Sequence, residues 1–282
     1  MDIGIFSRTY QITELEHTYQ RIKADNICHT QLNLSNAGLD TLPDAVDNKK
    51  LEEIRRLTKE YGIIPDAISG TFNMVNPDEE ARLKGCGQFR VQCRIASMLE
   101  IPVVSLCTGS RDPKNKWRWH EDNSSQASWD TLMRSTETIL KYAQEYQVVL
   151  GVEPETANIV DSPQKARKYL DEFACPNLKI IMDGANLFCL ERIGDMEEVL
   201  GEAFELLGKD IVLAHAKDIA SENNSFGRKM EFAAAGEGLL DYRLYIRLLR
   251  RYGYKGPLIM HGLSEAQIPK SRRFLEEMIR YA

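Results

Sequence analysis

The 282 residues predict an α/β chain folded as a single (β/α)8 barrel, and three observations carry that prediction. Short apolar runs alternate with longer amphipathic ones along the whole chain, the pattern of a parallel sheet with helices between its strands. The alternation occurs eight times, within the length such a barrel needs, about 250 residues. No Pro- or Ser-rich linker interrupts it, so one domain over residues 1–282 is expected. The competing architecture is an open doubly wound sheet. Its glycine fingerprint after the first strand is missing, because Ile5 runs on into Phe6, Ser7 and Arg8.

The strand-like runs are, in order, DIGIF (2–6), ICHTQLNL (27–34), IIPDAISGTF (63–72), IPVVSLC (101–107), QVVLGVE (147–153), LKIIMD (178–183), IVLAHAK (211–217) and PLIMHG (257–262). Several are apolar on both faces, as strands covered by helices must be. Helical periodicity separates them. In LEEIRRLTKEYG (51–62), Leu51, Ile54, Leu57 and Tyr61 share one face. WDTLMRSTETILKYAQEY (129–146) and DYRLYIRLLRRYG (241–253) behave alike, and the first and third of these helices end at a Gly.

Composition excludes some functions. The chain is 43% hydrophobic and 28% charged, an ordinary globular mixture, and its net charge of −6 has the wrong sign for a protein that lives on phosphate backbones. No nucleic-acid partner is expected. The N-terminus lacks a basic stretch followed by a long apolar one, and no apolar segment approaches the ~20 residues of a membrane span. A cytoplasmic protein without a membrane partner follows, with homo-oligomerisation left open. Six cysteines without a C-x-x-C pair read as reduced core thiols.

In a barrel of this kind, chemistry sits at the C-terminal strand ends. Those ends carry Ser7 and Arg8, Asn33, Thr71 and Asn73, Cys107 and Thr108, Glu153, Asp183, His215 and Lys217, and His261. Residues two apart on a strand share a face. Leu213, His215 and Lys217 therefore point together, as do Gly151 with Glu153, Ile181 with Asp183, and Ile259 with His261. If those faces line the barrel interior, two carboxylates and two imidazoles meet at one mouth. Glu153, Asp183, His215 and His261 are thus the candidate ligands of one divalent ion: Mn²⁺, Co²⁺, Fe²⁺ or Zn²⁺, with Mg²⁺ less natural beside two nitrogens. Each alone has a plainer reading, Asp183 as a turn former and His215 as a core histidine. Their joint placement in a chain of five histidines favours the metal.

These residues carry a family likeness. Through GVEPE (151–155), MDGANLF (182–188), AHAKD (214–218) and AAGEGLLDY (234–242), the chain resembles the sugar-phosphate isomerase/epimerase superfamily, metal-dependent barrels related to xylose isomerase and endonuclease IV. The resemblance runs over nearly the whole chain. It implies that Glu153, Asp183 and His215 hold the metal and that a sugar or related ketone reacts through a metal-stabilised enediolate. Glu153 would be the base, and Lys217 would supply charge near the developing oxyanion. Asn33, Asn73 and Asn186 would read sugar hydroxyls, with Arg8 at the first strand end as a further substrate contact. Epimerases of this type carry a second Glu after the last strand, where this chain has His261, with Glu265 four residues on. An isomerase or epimerase is the first expectation, with His261 as ligand or acid–base catalyst. A dehydratase or eliminase on the same metal site is the alternative. A non-catalytic sugar-binding barrel and an endonuclease IV-like hydrolase are the remaining readings. The last needs a histidine-rich three-metal cluster that five histidines, two of them well placed, cannot build.

TGSRDPKNKWRWHEDNSSQ (108–126) follows the fourth strand without periodicity, a length that marks a functional rim loop. Its Arg111, Lys114, Lys116 and Arg118, interleaved with Trp117, Trp119 and His120, are expected to bind an anionic group or stack on a sugar face.

Overall fold

In the computed structural model, eight parallel strands close on themselves: β1 (Ile3–Phe6), β2 (His29–Leu32), β3 (Ile64–Ser69), β4 (Val103–Leu106), β5 (Val149–Val152), β6 (Leu178–Asp183), β7 (Ile211–Asn224) and, after the hairpin strand β8 (Gly227–Ala234), β9 (Leu258–Met260). Each pairs with its neighbour in order, and β9 pairs with both β7 and β1, which completes the barrel. The helices between them are α1 (Leu15–Ala24), α2 (Asn48–Glu60), α3 (Glu79–Met98), α4 (Gln126–Tyr146), α5 (Pro163–Phe173), α6 (Met196–Leu207), α7 (Tyr242–Arg251) and α8 (Ile268–Tyr281). The structure describes residues 1–224 and 227–282; of residues 190–191, 221–224 and 227–230 it describes the backbone alone. Among the described residues, no helix is long and apolar enough to cross a membrane.

All eight expected strand runs are present, and two packing layers explain their composition. One side of each strand faces the helices, where Ile5, Leu32, Ile68, Val104, Leu150, Ile180 and Met260 join the main core. The other side faces inward, where Ala67, Val103, Ile181, Leu213 and Ile259 form a separate plug. Gly151 belongs to that inner layer for lack of room: a Cβ there would stand 2.6 Å from Ile181 Cγ1. The helix stops also follow local chemistry. Gly62 and Gly253 adopt φ of 56° and 82°, the left-handed conformation glycine takes without penalty. At the end of α4, Gln147 takes that role at φ 55°.

The seventh strand differs from expectation. It runs on to Asn224 rather than stopping at Lys217, because β8 pairs antiparallel with its extension from Lys217↔Ala234 to Asn224↔Gly227. The hairpin returns into the AAGEGLLDY turn, which Asp218 organises. Its carboxylate accepts hydrogen bonds from the backbone N–H groups of Ile219, Gly236, Gly238 and Leu240 at 2.9–3.1 Å. A Cβ on Gly238 would collide with that carboxylate. Asp218→Ala strands four donors, and we expect it to destabilise the protein by about 3 kcal/mol. Urea denaturation checks this; an unchanged midpoint would contradict the assignment.

Candidate metal centre and substrate cavity

The inward-facing residues change character at the top of the barrel. Above the apolar plug stand Phe6, Gln31, Ser69, Ser105, Glu153, Asp183, His215 and His261, at or just past the strand ends. Asp183 pairs in register with His215, and Ser69 with Ser105. A cavity of about 580 Å³ opens above this layer, lined among others by Arg8, Asn33, Glu155, Asn186, Lys217 and His261. Two tyrosines of α7 hold the strand ends from behind. Tyr245 Oη lies 2.9 Å from Met182 O and 3.2 Å from His215 O, and the Tyr242 hydroxyl donates to Lys217 O at 3.0 Å.

Asp183, His215 and His261 offer ligand atoms that all lie within 4.8 Å of one another. Three atoms here are buried without a hydrogen bond: Asp183 Oδ2, His215 Nδ1 and His261 Nδ1. Leaving such groups unpaired is costly, and one carboxylate oxygen with two imidazole nitrogens is a donor set that suits a divalent ion. The residues fit the group the sequence predicts. His215 Nδ1 stands 3.5 Å from Glu153 Oε1 and 3.7 Å from Asp183 Oδ2, ion-pair rather than hydrogen-bond separations. The two imidazoles stack with centroids 5.1 Å apart and planes 15° from parallel.

Glu153 is held beside this cluster by a short relay. Asn186 Nδ2 donates to Glu153 Oε1 at 2.6 Å, and Lys217 Nζ donates to Asn186 Oδ1 at 2.6 Å. The same ammonium lies 3.1 Å from Asp183 Oδ2 and 3.8 Å from the centroid of the Phe232 ring, which roofs it from the hairpin. Electrostatics follow from this geometry. Burial alone pushes the Glu153 and Asp183 carboxyls up, but the His215 and Lys217 charges outweigh it and hold both below the usual range. Burial pulls the His215 imidazole down, yet the charges of Glu153 and Asp183 raise it to about 9. Burial and the positive charges of His215 and Lys217 lower His261 to about 4. Lys217 is raised: the nearby carboxylates overcome its burial. Glu155, two residues on and also lining the cavity, is raised to about 7 by burial and then by the charge of Glu153.

The other expected contacts divide. Arg8, Asn33, Asn186 and Lys217 line the cavity. Asn33 spends its oxygen on Ser35 N and the Thr41 hydroxyl, both at 3.0 Å. Asn73 and Arg111 are not brought to the cavity. The Asn73 amide staples the rim loop, donating to Ser110 O at 2.8 Å and accepting from Ser110 N at 3.1 Å, while the Arg111 guanidinium donates to Val75 O at 2.9 Å. From that loop Lys116 and Trp117 reach the cavity instead. Glu265 lies in a turn before α8, paired with Arg21 at 2.8 Å. The sequence reading missed Gln31, Ser69, Ser105, Glu155 and Phe232. For Gln31 a signal existed: it shares a strand face with Asn33 and is polar inside an apolar run.

Fold and site together define a (β/α)8 barrel with a metal-capable mouth. The chain belongs to the xylose isomerase-like TIM barrel family, whose model matches residues 12–278. A curated relative, the inosose dehydratase of Histophilus somni (strain 129Pt), is 22% identical over 172 residues, 55% of this chain and 56% of the relative. The chain thus matches little more than half the length of that relative. A xylose isomerase-like TIM barrel protein from Mycobacterium smegmatis, in complex with magnesium, superposes with a TM-score of 0.75 at 14% identity, over 99% of this chain and 96% of that one. The apo form of 3-keto-D-glucoside 4-epimerase from E. coli superposes with a TM-score of 0.70 at 18% identity, over 99% and 98%. At these identities the structural likeness speaks for the fold.

Proposed function

We propose that this chain is an enzyme that binds one divalent metal ion and removes a proton from the carbon beside the carbonyl of a sugar or sugar-derived ketone. The observation that carries the reading is the convergence of buried ligand atoms on Asp183, His215 and His261 that make no hydrogen bond, with the ionised Glu153 beside them. Bound there, with Glu153 completing the ligand set, a divalent ion would act as a Lewis acid on the substrate carbonyl. Glu153 is the base, oriented by Asn186. Lys217, kept charged by its carboxylate neighbours, faces the oxygen on which negative charge develops. Arg8, Asn33 and Asn186 contact the substrate's polar groups along the cavity wall.

Isomerisation or epimerisation returns the proton to carbon, whereas dehydration protonates a departing hydroxyl. The presence of Glu155 on the same wall as Glu153 favours keeping the dehydratase as a second reading, since it offers an acid of different character from the base. The inosose dehydratase relative supports the same reading.

Elemental analysis of the purified protein beside Asp183→Ala and His261→Ala tests the metal. One ion per chain is expected in the wild type, with affinity weakened at least about 10–100-fold in both variants. A screen of ketoses and keto-sugars, scored for both isomer and dehydrated product, then separates the two reactions. A protein without metal, even after soaking in Mn²⁺ or Co²⁺, would overturn the reading.

A further inference from the structure

We infer that Gln31 is a positioning residue for the metal, whose amide oxygen holds the Nε2 proton of the His215 tautomer that presents Nδ1 to the ion. This rests on the metal reading proposed above. An imidazole that ligates through one nitrogen carries its proton on the other, and that N–H needs an acceptor once it is buried. His215 is 2% exposed. Its Nε2 lies 2.8 Å from Gln31 Oε1, while its Nδ1 faces Glu153 and Asp183 without a hydrogen bond. The bond crosses the barrel interior, because β2 and β7 are not neighbours in the sheet.

An amide can present its oxygen or its nitrogen, and here the oxygen faces His215. Two hydroxyls take up the nitrogen. Gln31 Nε2 donates to Ser69 Oγ at 3.2 Å and to Ser105 Oγ at 3.4 Å, from β3 and β4. The carbonyl oxygen is left for His215. The opposite orientation would place NH₂ against Nε2, make that nitrogen the acceptor and put the proton on Nδ1, where the ion has to bind. Gln31 is itself 5% exposed and hydrogen-bonded at both ends of its amide, so its oxygen is the acceptor at hand when an ion on Nδ1 leaves the proton on Nε2. A neutral amide also fixes the tautomer without adding negative charge to a mouth that already holds Glu153 and Asp183.

The test is Zn²⁺ affinity, measured by competition with a chromophoric chelator for the wild type, Gln31→Leu and Gln31→Glu. Gln31→Leu should weaken binding about 10–100-fold. Gln31→Glu restores an acceptor for Nε2–H and should recover the affinity, which a packing role would not do. Equal affinity in Gln31→Leu and wild type overturns the inference, as does a Gln31→Glu variant as weak as Gln31→Leu. ¹⁵N NMR of the Zn²⁺-loaded wild type, which depends on no variant folding, should place the His215 proton on Nε2; a proton on Nδ1 overturns the inference. A wild type that binds no Zn²⁺ overturns the metal reading itself, and the inference with it.

Discussion

Glu153→Gln is expected to lower turnover by about 10²–10⁴-fold while leaving the fold intact. The two side chains are nearly the same size, and the amide oxygen of glutamine can still accept the hydrogen bond that Asn186 gives to Glu153. What glutamine cannot do is take a proton. Glu153 is suited to that task by its surroundings: the His215 and Lys217 charges keep it ionised despite burial, and its side chain is 16% exposed, toward the cavity. Solvent deuterium exchange into the substrate at the carbon beside the carbonyl, followed by NMR, measures the step directly. Exchange at the wild-type rate in Glu153→Gln would show that another group is the base, with Glu155 the nearest alternative on the same wall. Metal content of the same preparation separates a lost base from a lost ligand, since an amide oxygen still coordinates, more weakly.

Strand parity made the centre of the site legible in the sequence. Once Leu213, His215 and Lys217 share a face and that face is interior, the same rule brings Glu153, Asp183 and His261 to one mouth, and the register of β6 on β7 sets Asp183 beside His215. Parity does not reach the loops. Which cation of 108–126 enters the cavity depends on turns built by Asp112, which accepts from Lys114 N and Asn115 N, and by Asn123, which accepts from Arg111 N. Those turns carry Lys116 inward, where its ammonium donates to Thr71 O at 3.0 Å, and point Arg111 at Val75. Asn73 was misplaced for the same reason. It follows a strand end, but its amide matches the backbone of Ser110 better than it faces the cavity. The hairpin was invisible because ASENNSFGRKMEFAA lacks the strong apolar alternation that marks a strand. Pairing with its own return strand, rather than with a core, keeps it extended. Cys189, expected in the core with the other thiols, is exposed for a related reason: it lies in the irregular segment between β6 and α6.

Metal affinity is expected to rise about tenfold per pH unit from pH 6 toward 8.5, levelling off near 9. In the metal-free protein the negative charges of Glu153 and Asp183, working against burial, raise the His215 imidazole to about 9. At neutral pH an ion therefore has to displace a proton, and each unit below that value weakens apparent binding by about 1.4 kcal/mol. Glu155, raised to about 7 by burial and the charge of Glu153, ionises in the same range and steepens the rise, while the remaining groups leave the slope alone. His261, lowered to about 4, is already neutral in the range, Lys217 is raised and stays charged, and Asp183 is lowered and stays ionised. The same imbalance acts on folding without metal. A raised imidazole stabilises the folded state fully below its unfolded value, about 6.5, and that contribution disappears as pH rises through about 9. Metal binding and metal-free stability should therefore run in opposite directions with pH. Mn²⁺ titrations followed by electron paramagnetic resonance at pH 6, 7 and 8, with urea midpoints of the metal-free protein at the same values, measure both. An affinity flat across that range would mean that His215 holds no proton for the ion to displace. A slope near two protons that persists in Glu155→Gln would mean that His261 is charged as well, and that the positive charges of His215 and Lys217 do not suppress it.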